Sequence, residues 1–294
     1  MGANVRGGCG SAAAEENWVR EELERKYERL KSTLADTGGV LVAYSGGVDS
    51  TLLLKAAMEA LGDRAVAVTA SSETYPDEEV EEAVRLAQDL GARLRRIHTA
   101  ELHMEQFASN PPERCFYCKQ ELFGKLVEVA REEGLPVVAD GSNVDDTGDY
   151  RPGMRAAAEL GIRSPLREAG LTKADIRELS RELGLPTWDK PSFACLASRF
   201  PYGERITPEG LRQVGAAEQA VRELVGGQVR VRHHGDIARI EVGPEALVRI
   251  VEPGNRARIV SALRELGYLY VTLDLEGYRT GSMNRPLAER AKAR

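Results

Sequence analysis

The chain has 294 residues, enough for one large domain or two, and its 42% hydrophobic and 29% charged residues are typical of a globular protein. Its formal net charge of −6 provides no overall positive field, which argues against a nucleic-acid partner. The apolar runs are far too short to cross a bilayer, and the N-terminus lacks the charged start and apolar core of a secretory signal. We therefore predict a cytoplasmic protein without a membrane partner.

Strands alternate with helices over the first two thirds of the chain. The predicted strands, rich in small and branched apolar residues, are 40–44, 65–70, 93–98 and 136–139. The predicted helices are 15–34, 49–61, 76–90, 117–133 and 173–183. This alternation predicts an α/β fold with a doubly wound parallel sheet.

From Pro208 the pattern changes to that of an α+β domain. The predicted elements are a helix over 208–224, strands over 228–233 and 237–242 joined by a short turn, a helix over 253–266 and a strand over 268–273. We therefore expect a disordered tail over 1–14, a nucleotide-binding α/β domain over 15–201, a smaller α+β domain over 202–276 and a polar tail over 277–294.

The run from Ser45 to Ser50, SGGVDS, joins the first predicted strand to a helix. Gly46 and Gly47 allow positive φ and a close approach of backbone amides to a phosphate, and the helix adds the positive end of its dipole. Ser45 and Ser50 supply hydroxyl donors. No lysine precedes Ser50, so this is not a loop that transfers a γ-phosphate.

The whole run, including Asp49, resembles the SGGxDS loop of the PP-loop ATPases. That resemblance implies an adenine nucleotide α-hydrolase-like fold in which ATP is cleaved between its α and β phosphates. The products are an adenylated substrate and pyrophosphate. The loop leaves the identity of the adenylated acceptor open.

An acidic run from Asp140 to Asp146 follows the fourth predicted strand, at the same edge of the sheet as the glycine loop. Carboxylates beside a triphosphate usually hold Mg²⁺. Asp145 or Asp146 is therefore a candidate magnesium ligand. A polar turn or a helix cap would use the same residues without a metal.

Cys115 and Cys118 begin a predicted helix, where thiolates are stabilised, and Cys195 lies far along the chain. Three thiolates are one ligand short of a closed zinc site, which His98 or His103 would complete. Alternatively, they hold a [4Fe-4S] cluster that leaves one iron open to bind a sulfide. Without a metal, the three are two buried cysteines and an unrelated third.

Five stretches in chain order resemble the LarE family of sulfur transferases: SGGVDS, PPERCFYCK, DGSNVDDTGDYRPG, SPLRE and KPSFACLASRFPYGERIT. The resemblance covers about residues 17 to 275. It implies that ATP adenylates pyridinium-3,5-biscarboxylic acid mononucleotide and that sulfur then replaces oxygen, giving the thiocarboxylate ligand of the nickel-pincer nucleotide cofactor.

The LarE resemblance also assigns roles to the cysteines. The position of Cys195 is the sulfur donor in members that sacrifice a cysteine, and members with an additional CxxC hold a [4Fe-4S] cluster on all three. The pair Cys115 and Cys118 favours the cluster version, which needs an external sulfide source. The resemblance further implies a homohexamer.

Arg230 and Arg232 alternate with Val229 and Val231, so the two arginines share one face of a strand. Two guanidinium groups at this spacing are suited to clamp a phosphate or carboxylate, although a solvated strand face has the same pattern. The LarE resemblance carries a substrate-phosphate role onto these arginines and implies a metal contact for Glu218. It also implies further residues of the substrate pocket: Ser198, Glu218 and Glu241.

Three other functions remain open on the sequence. A tRNA 2-thiolation enzyme of the PP-loop superfamily also joins this loop to a CxxC pair and one further cysteine, but the acidic net charge argues against it. The second is a nucleotide-binding sulfur or iron carrier without catalysis. The third is an amide-forming ligase with a structural zinc.

Overall fold

The computed structural model describes residues 9–148, 152–191, 194–279 and 282. Its helices are α1 (Cys9–Ala35), α2 (Val48–Leu61), α3 (Asp77–Asp89), α4 (Glu105–Ala108), α5 (Arg114–Glu132), α6 (Pro152–Glu159), α7 (Pro165–Glu168), α8 (Lys173–Glu182), α9 (Pro208–Val225), α10 (Pro244–Val251) and α11 (Pro253–Glu265). Its strands are β1 (Val40–Ala43), β2 (Ala65–Ser71), β3 (Arg93–His98), β4 (Val137–Ala139), β5 (Val229–His234), β6 (Ile237–Val242) and β7 (Tyr270–Leu273). Within the described ranges, no helix is long and apolar enough to cross a membrane.

The first four strands form a parallel sheet in the order β3-β2-β1-β4. Val40 of β1 lies beside Ala65 of β2 on one side and Val137 of β4 on the other. The carboxyl ends of these strands therefore meet at one edge, where the loop after β1 and the loop after β4 are neighbours.

Helices cover both faces of the parallel sheet. On one face, Val40 and Val42 pack with Leu30 of α1 and Leu53 of α2. On the other, Leu41 packs with side chains of α5, including Phe123 and Leu126. Because β1 is buried on both sides, its sequence is continuously apolar rather than alternating. The predicted doubly wound α/β fold is confirmed.

The last three strands form a separate mixed sheet in the order β5-β6-β7. β5 and β6 are an antiparallel hairpin, and β7 runs parallel to β6. Val229 and Val231 are buried with Val221 of α9 and Leu263 of α11. The helices thus cover one face of this sheet, which confirms the predicted α+β arrangement and leaves the other face to Arg230 and Arg232.

Several boundaries differ from the predictions. α1 begins at Cys9, six residues before the predicted start at Glu15, since a run of alanines, the best helix formers, precedes Glu15. α5 begins at Arg114 rather than Tyr117, so both paired cysteines lie inside the helix. The helices α4, α6, α7 and α10 were not predicted, because four to eight residues carry too little periodicity. Three of them begin with proline, which is tolerated in the first turn.

Candidate active site

The glycine loop leaves the carboxyl end of β1 and enters α2, as predicted. Gly46 has a φ of +69°, and a β-carbon there would lie 2.7 Å from the β-carbon of Ala83. Gly47 has a φ of −83°, so the expectation of positive φ at both glycines holds only for Gly46. Gly47 is instead the N-cap of α2 and makes no side-chain cap, which leaves amide donors of the first turn available to an anion.

Hydrogen bonds of Ser45 and Ser50 hold the loop 45–50 in a closed shape, which we call the phosphate cup. The Ser50 hydroxyl donates to the Gly47 carbonyl at 3.1 Å and accepts from the Ser45 amide at 3.3 Å. The two serine hydroxyl oxygens are 3.2 Å apart. The loop is therefore held in one conformation by its own side chains, which is what a preorganised phosphate site requires.

Asp49 connects this cup to the loop after β4 and to α8. Its Oδ1 accepts from the Asn143 side-chain amide at 3.0 Å, and its Oδ2 forms an ion pair with Lys173. The Asp145 carboxylate accepts from the Lys173 backbone amide at 2.8 Å, and the Asp146 carboxylate accepts from the Asn143 backbone amide at 2.9 Å. Both candidate magnesium ligands therefore also act as backbone caps.

One cavity of about 890 Å³ extends over the edge of the parallel sheet. Its lining includes the glycine loop, Asp145, the pair Cys115 and Cys118, and Arg230 with Arg232 of the small sheet. Ser198 also lines it. The structure thus brings together residues predicted separately for nucleotide, sulfur and substrate binding.

Cys115 and Cys118 line the cavity, and Cys195 packs against the same apolar cluster as Cys118. Cys195 is placed between Ala194 and Ser198, which both line the cavity. Burial raises the pKa of Cys118, and the neighbouring Cys195 raises it further. Burial likewise raises the pKa of Cys195, and the positive charge of Arg114 partly opposes this. The expected stabilisation of thiolates at the helix start is therefore wrong for Cys118, where desolvation outweighs the helix dipole.

Within the described residues, no group of three or more His, Cys, Asp or Glu side chains is arranged to hold a metal ion. His98 and His103, the two histidines considered for a zinc site, are exposed. Neither is among the described residues that line the cavity with the cysteines.

Arg230 and Arg232 are buried, at 4% and 5% exposure, so the alternative of a solvated strand face is wrong. Arg232 donates to the Glu241 carboxylate at 2.6 Å and to the Ser198 carbonyl at 3.1 Å. Burial, with the nearby Arg199 charge, lowers the pKa of Arg230 to about 10. Arg230 therefore stays protonated at neutral pH, and a bound anion would offset the cost of burying it.

Glu218 and Glu241 lie behind these arginines and are not among the described residues that line the cavity. Glu218 accepts from Arg199 at 2.6 and 2.8 Å and from the Val231 amide at 2.9 Å. Glu241 is fully buried between Arg232 and Arg239. In this geometry neither carboxylate lines the cavity. Each would act on a bound substrate indirectly, by orienting the arginine with which it pairs.

Other residues at the site were missed by the sequence reasoning. Glu101 lines the cavity, and its Oε1 accepts from Ser72 at 2.7 Å and Thr74 at 2.8 Å. No sequence pattern marks it. Lys173 could have been found, because a cation in the first turn of a helix opposes the helix dipole and indicates another role. The stretch predicted as a polar tail also contributes to the lining: Tyr278, Arg279 and Ser282.

Comparison with known proteins identifies the family. The family model of NAD synthase matches residues 22–116, which include the glycine loop and Cys115. A protein of Lactiplantibacillus plantarum named pyridinium-3,5-bisthiocarboxylic acid mononucleotide synthase is 43% identical over 268 residues, covering 91% of this chain and 96% of that protein. The chain belongs to the LarE family.

Two further relatives match the chain to different degrees. An uncharacterised protein of Synechocystis is 46% identical over 91% of this chain and all of its own length. A component of the glutamine-hydrolysing GMP synthase of Thermococcus kodakarensis is 26% identical over 69% of this chain and 70% of its own length. As a LarE family member with a PP-loop, the chain is an ATP-dependent sulfur transferase of the PP-loop superfamily.

Proposed function

We propose that this enzyme adenylates the carboxylates of pyridinium-3,5-biscarboxylic acid mononucleotide and replaces carboxylate oxygen by sulfur, for the biosynthesis of the nickel-pincer nucleotide cofactor. The observation that carries the proposal is the single cavity shared by the glycine loop, Cys115 with Cys118, and Arg230 with Arg232. The name of the Lactiplantibacillus relative supports the substrate.

The first half-reaction takes place at the glycine loop. A carboxylate oxygen of the substrate attacks the α-phosphorus of ATP, and the bond to the β-phosphate breaks, releasing pyrophosphate. The α2 amides and Lys173 face the negative charge that develops on the phosphates. Asp145 lines the same cavity, and its carboxylate chemistry fits a Mg²⁺ ion bound together with phosphate oxygens.

The second half-reaction inserts sulfur. A sulfur nucleophile attacks the activated carbonyl carbon, and AMP leaves with the former carboxylate oxygen. We place the delivery of this sulfur at Cys195, whose neighbours Ala194 and Ser198 line the cavity. Adenylation makes the carboxylate oxygen, a poor leaving group, part of AMP, which leaves readily. Because the sulfur attacks this same adenylate, the two half-reactions must share one cavity.

We further propose that Cys115, Cys118 and Cys195 hold a [4Fe-4S] cluster, which when bound would present sulfide for transfer. The support is chemical: Cys118 and Cys195 pack against one apolar cluster, and the charges of Cys195 and Cys115 both raise the pKa of Cys118. None of the described histidines lines the cavity, and His98 and His103 are exposed, which disfavours a zinc site completed by histidine. Repeated turnover through a cluster requires an external sulfide source.

Arg230 and Arg232 would bind the phosphate of the mononucleotide, oriented by Glu241 and backed by Glu218. Ser198 would contribute to the same pocket. We also propose a homo-oligomer, consistent with the family's hexamer. Its support is a set of exposed apolar side chains on α10 and at the start of β7: Val248, Val251, Leu269 and Tyr270.

The test combines Cys195→Ala with chemical analysis of the anaerobically prepared protein. Cys195→Ala should retain pyrophosphate release from ATP and substrate but form no thiocarboxylate, whereas the matched control Cys9→Ala should retain both. Iron and labile sulfide near four per chain are expected from the cluster's composition. Thiocarboxylate formation in Cys195→Ala, or sulfur transfer to tRNA instead of the mononucleotide, would contradict the proposal.

A further inference from the structure

The backbone around Cys195 accepts hydrogen bonds from two buried guanidinium groups. Arg199 donates through one nitrogen, Nη1, to the carbonyls of Ala194 at 2.9 Å and Cys195 at 3.3 Å. The same nitrogen donates to the Ser198 hydroxyl at 2.7 Å. A second buried arginine, Arg114, donates to the Ala197 carbonyl at 2.9 Å.

The remaining two nitrogens of Arg199 bind a side chain of helix α9. Nε and Nη2 bind the two oxygens of Glu218 at 2.6 and 2.8 Å, a bidentate pair in which both side chains are nearly free of solvent. The planar guanidinium fork can serve both sides at once, and an ammonium group cannot. Arg199 therefore links Cys195 to Glu218 through one rigid group.

Glu218 extends this link to the strand of the proposed phosphate site. Its Oε1 also accepts from the Val231 amide at 2.9 Å, and Val231 lies between Arg230 and Arg232 on β5. A continuous set of hydrogen bonds thus runs from β5 through Glu218 and Arg199 to the Cys195 carbonyl. One end, Val231, lies between the two arginines proposed to hold the substrate phosphate, and the other end is Cys195.

We propose that Arg199 is a positioning residue for sulfur transfer, which sets the place of Cys195 relative to substrate bound at β5. The inference rests on the proposed function. Sulfur attack needs the donor aligned with the carbonyl carbon, and a displacement of about 1 Å costs about 10²-fold in rate. Adenylation takes place at the glycine loop, which Arg199 does not contact in any of these hydrogen bonds.

The decisive variant is Arg199→Lys, which keeps the buried positive charge beside Glu218 but loses the fork. We expect unchanged KM values for ATP and mononucleotide in pyrophosphate exchange and a fall of about 10²-fold in the rate of thiocarboxylate formation. The matched control is Arg205→Lys, which alters the exposed bidentate pair with Glu105 and should change neither rate. A wild-type rate of thiocarboxylate formation, or equal losses in both half-reactions, would overturn the inference.

A second measurement starts from the wild-type protein, and its wild-type result tests the inference even where Arg199→Lys fails to fold. Amide hydrogen exchange over residues 194–198 of the wild-type protein should slow when the dicarboxylate mononucleotide is added without ATP, because the substrate fixes β5 and β5 fixes this segment. The same addition to Arg199→Lys should leave their exchange unchanged. Absence of any slowing in the wild-type protein overturns the inference. If the wild-type protein instead shows slowing but never forms thiocarboxylate, the proposed function fails, whereas the structural link from β5 to residues 194–198 stands.

Discussion

Gly46 packs so closely against Ala83 that a β-carbon on residue 46 would lie 2.7 Å from the β-carbon of Ala83. The φ of Gly46, +69°, is also one that other residues rarely adopt. The glycine is thus required both by the loop conformation and by the contact with α3. The first turn of α2 and the helix α3 are held at a fixed separation around the phosphate cup.

Gly46→Ala should therefore damage both stability and the first half-reaction. We expect the free energy of unfolding to fall by about 1–3 kcal/mol, from overpacking and backbone strain, and ATP–pyrophosphate exchange to be lost. Urea denaturation and the exchange assay measure the two effects. Gly124→Ala is the control: this glycine lies in α5 with no atom near an added β-carbon, so the variant should gain up to about 1 kcal/mol. Full exchange activity in Gly46→Ala would contradict the phosphate-cup assignment.

Lys173→Gln tests the ion pair between α8 and the glycine loop. Without the ammonium group, the Asp49 carboxylate faces the triphosphate unneutralised, and the KM for ATP should rise at least about tenfold, equivalent to about 1.4 kcal/mol. Lys26→Gln is the control, because Lys26 also pairs with a carboxylate of the helix α8, that of Asp175, at 2.7 Å. This ion pair is half-buried and is not part of the described cavity lining. It should leave the KM for ATP unchanged. Equal effects of the two variants would mean that Lys173 serves only the fold.

Arg230→Met tests the substrate end of the cavity. Loss of a charge-assisted hydrogen bond to the phosphate should weaken mononucleotide binding by about 1.5–3 kcal/mol, measured by calorimetry, while the KM for ATP stays unchanged. Since burial lowers the pKa of Arg230 to about 10, removing its charge should not reduce the melting temperature. Arg212→Met, which removes an exposed arginine of α9, should affect neither quantity. Unaltered mononucleotide affinity in Arg230→Met would exclude Arg230 from the phosphate site.

The small sheet should lose stability as the pH falls. Burial lowers the pKa of His233, and Glu204 only partly opposes this. The unfolded chain, with a histidine pKa of about 6.5, therefore takes up its proton before the folded protein does. Stability is fully present above about pH 6.5 and decreases below it. Thermal melts from pH 7.5 to about 5.5 should show a shallower loss for His233→Gln than for the wild-type protein. His98→Gln, at an exposed position, should retain the wild-type profile.

The fold was largely predictable because its pattern is local. The continuously apolar run of β1 predicts a strand buried on both faces, and the alternating run of β5 predicts that Val229 and Val231 face a core; both predictions are confirmed. The short helices α6 and α10 were not predicted, because eight residues span little more than two helical turns, too few to show a periodic pattern. Their formation depends on packing against neighbours that are remote in sequence.

The sequence by itself determined the phosphate cup and the family, because the glycine loop, the CxxC pair and the stretch around Cys195 are short segments whose residue order carries their chemistry. Only the tertiary structure decided the electrostatics of the site. It placed Lys173 on Asp49, 124 positions away, and set Glu218 behind Arg199 instead of in the cavity. It also desolvated the thiol of the half-buried Cys118, which raised the pKa of this thiol and reversed the expected effect of the helix start. Charge pairing and desolvation depend on distance and on exclusion of water, and both arise only when remote segments pack together.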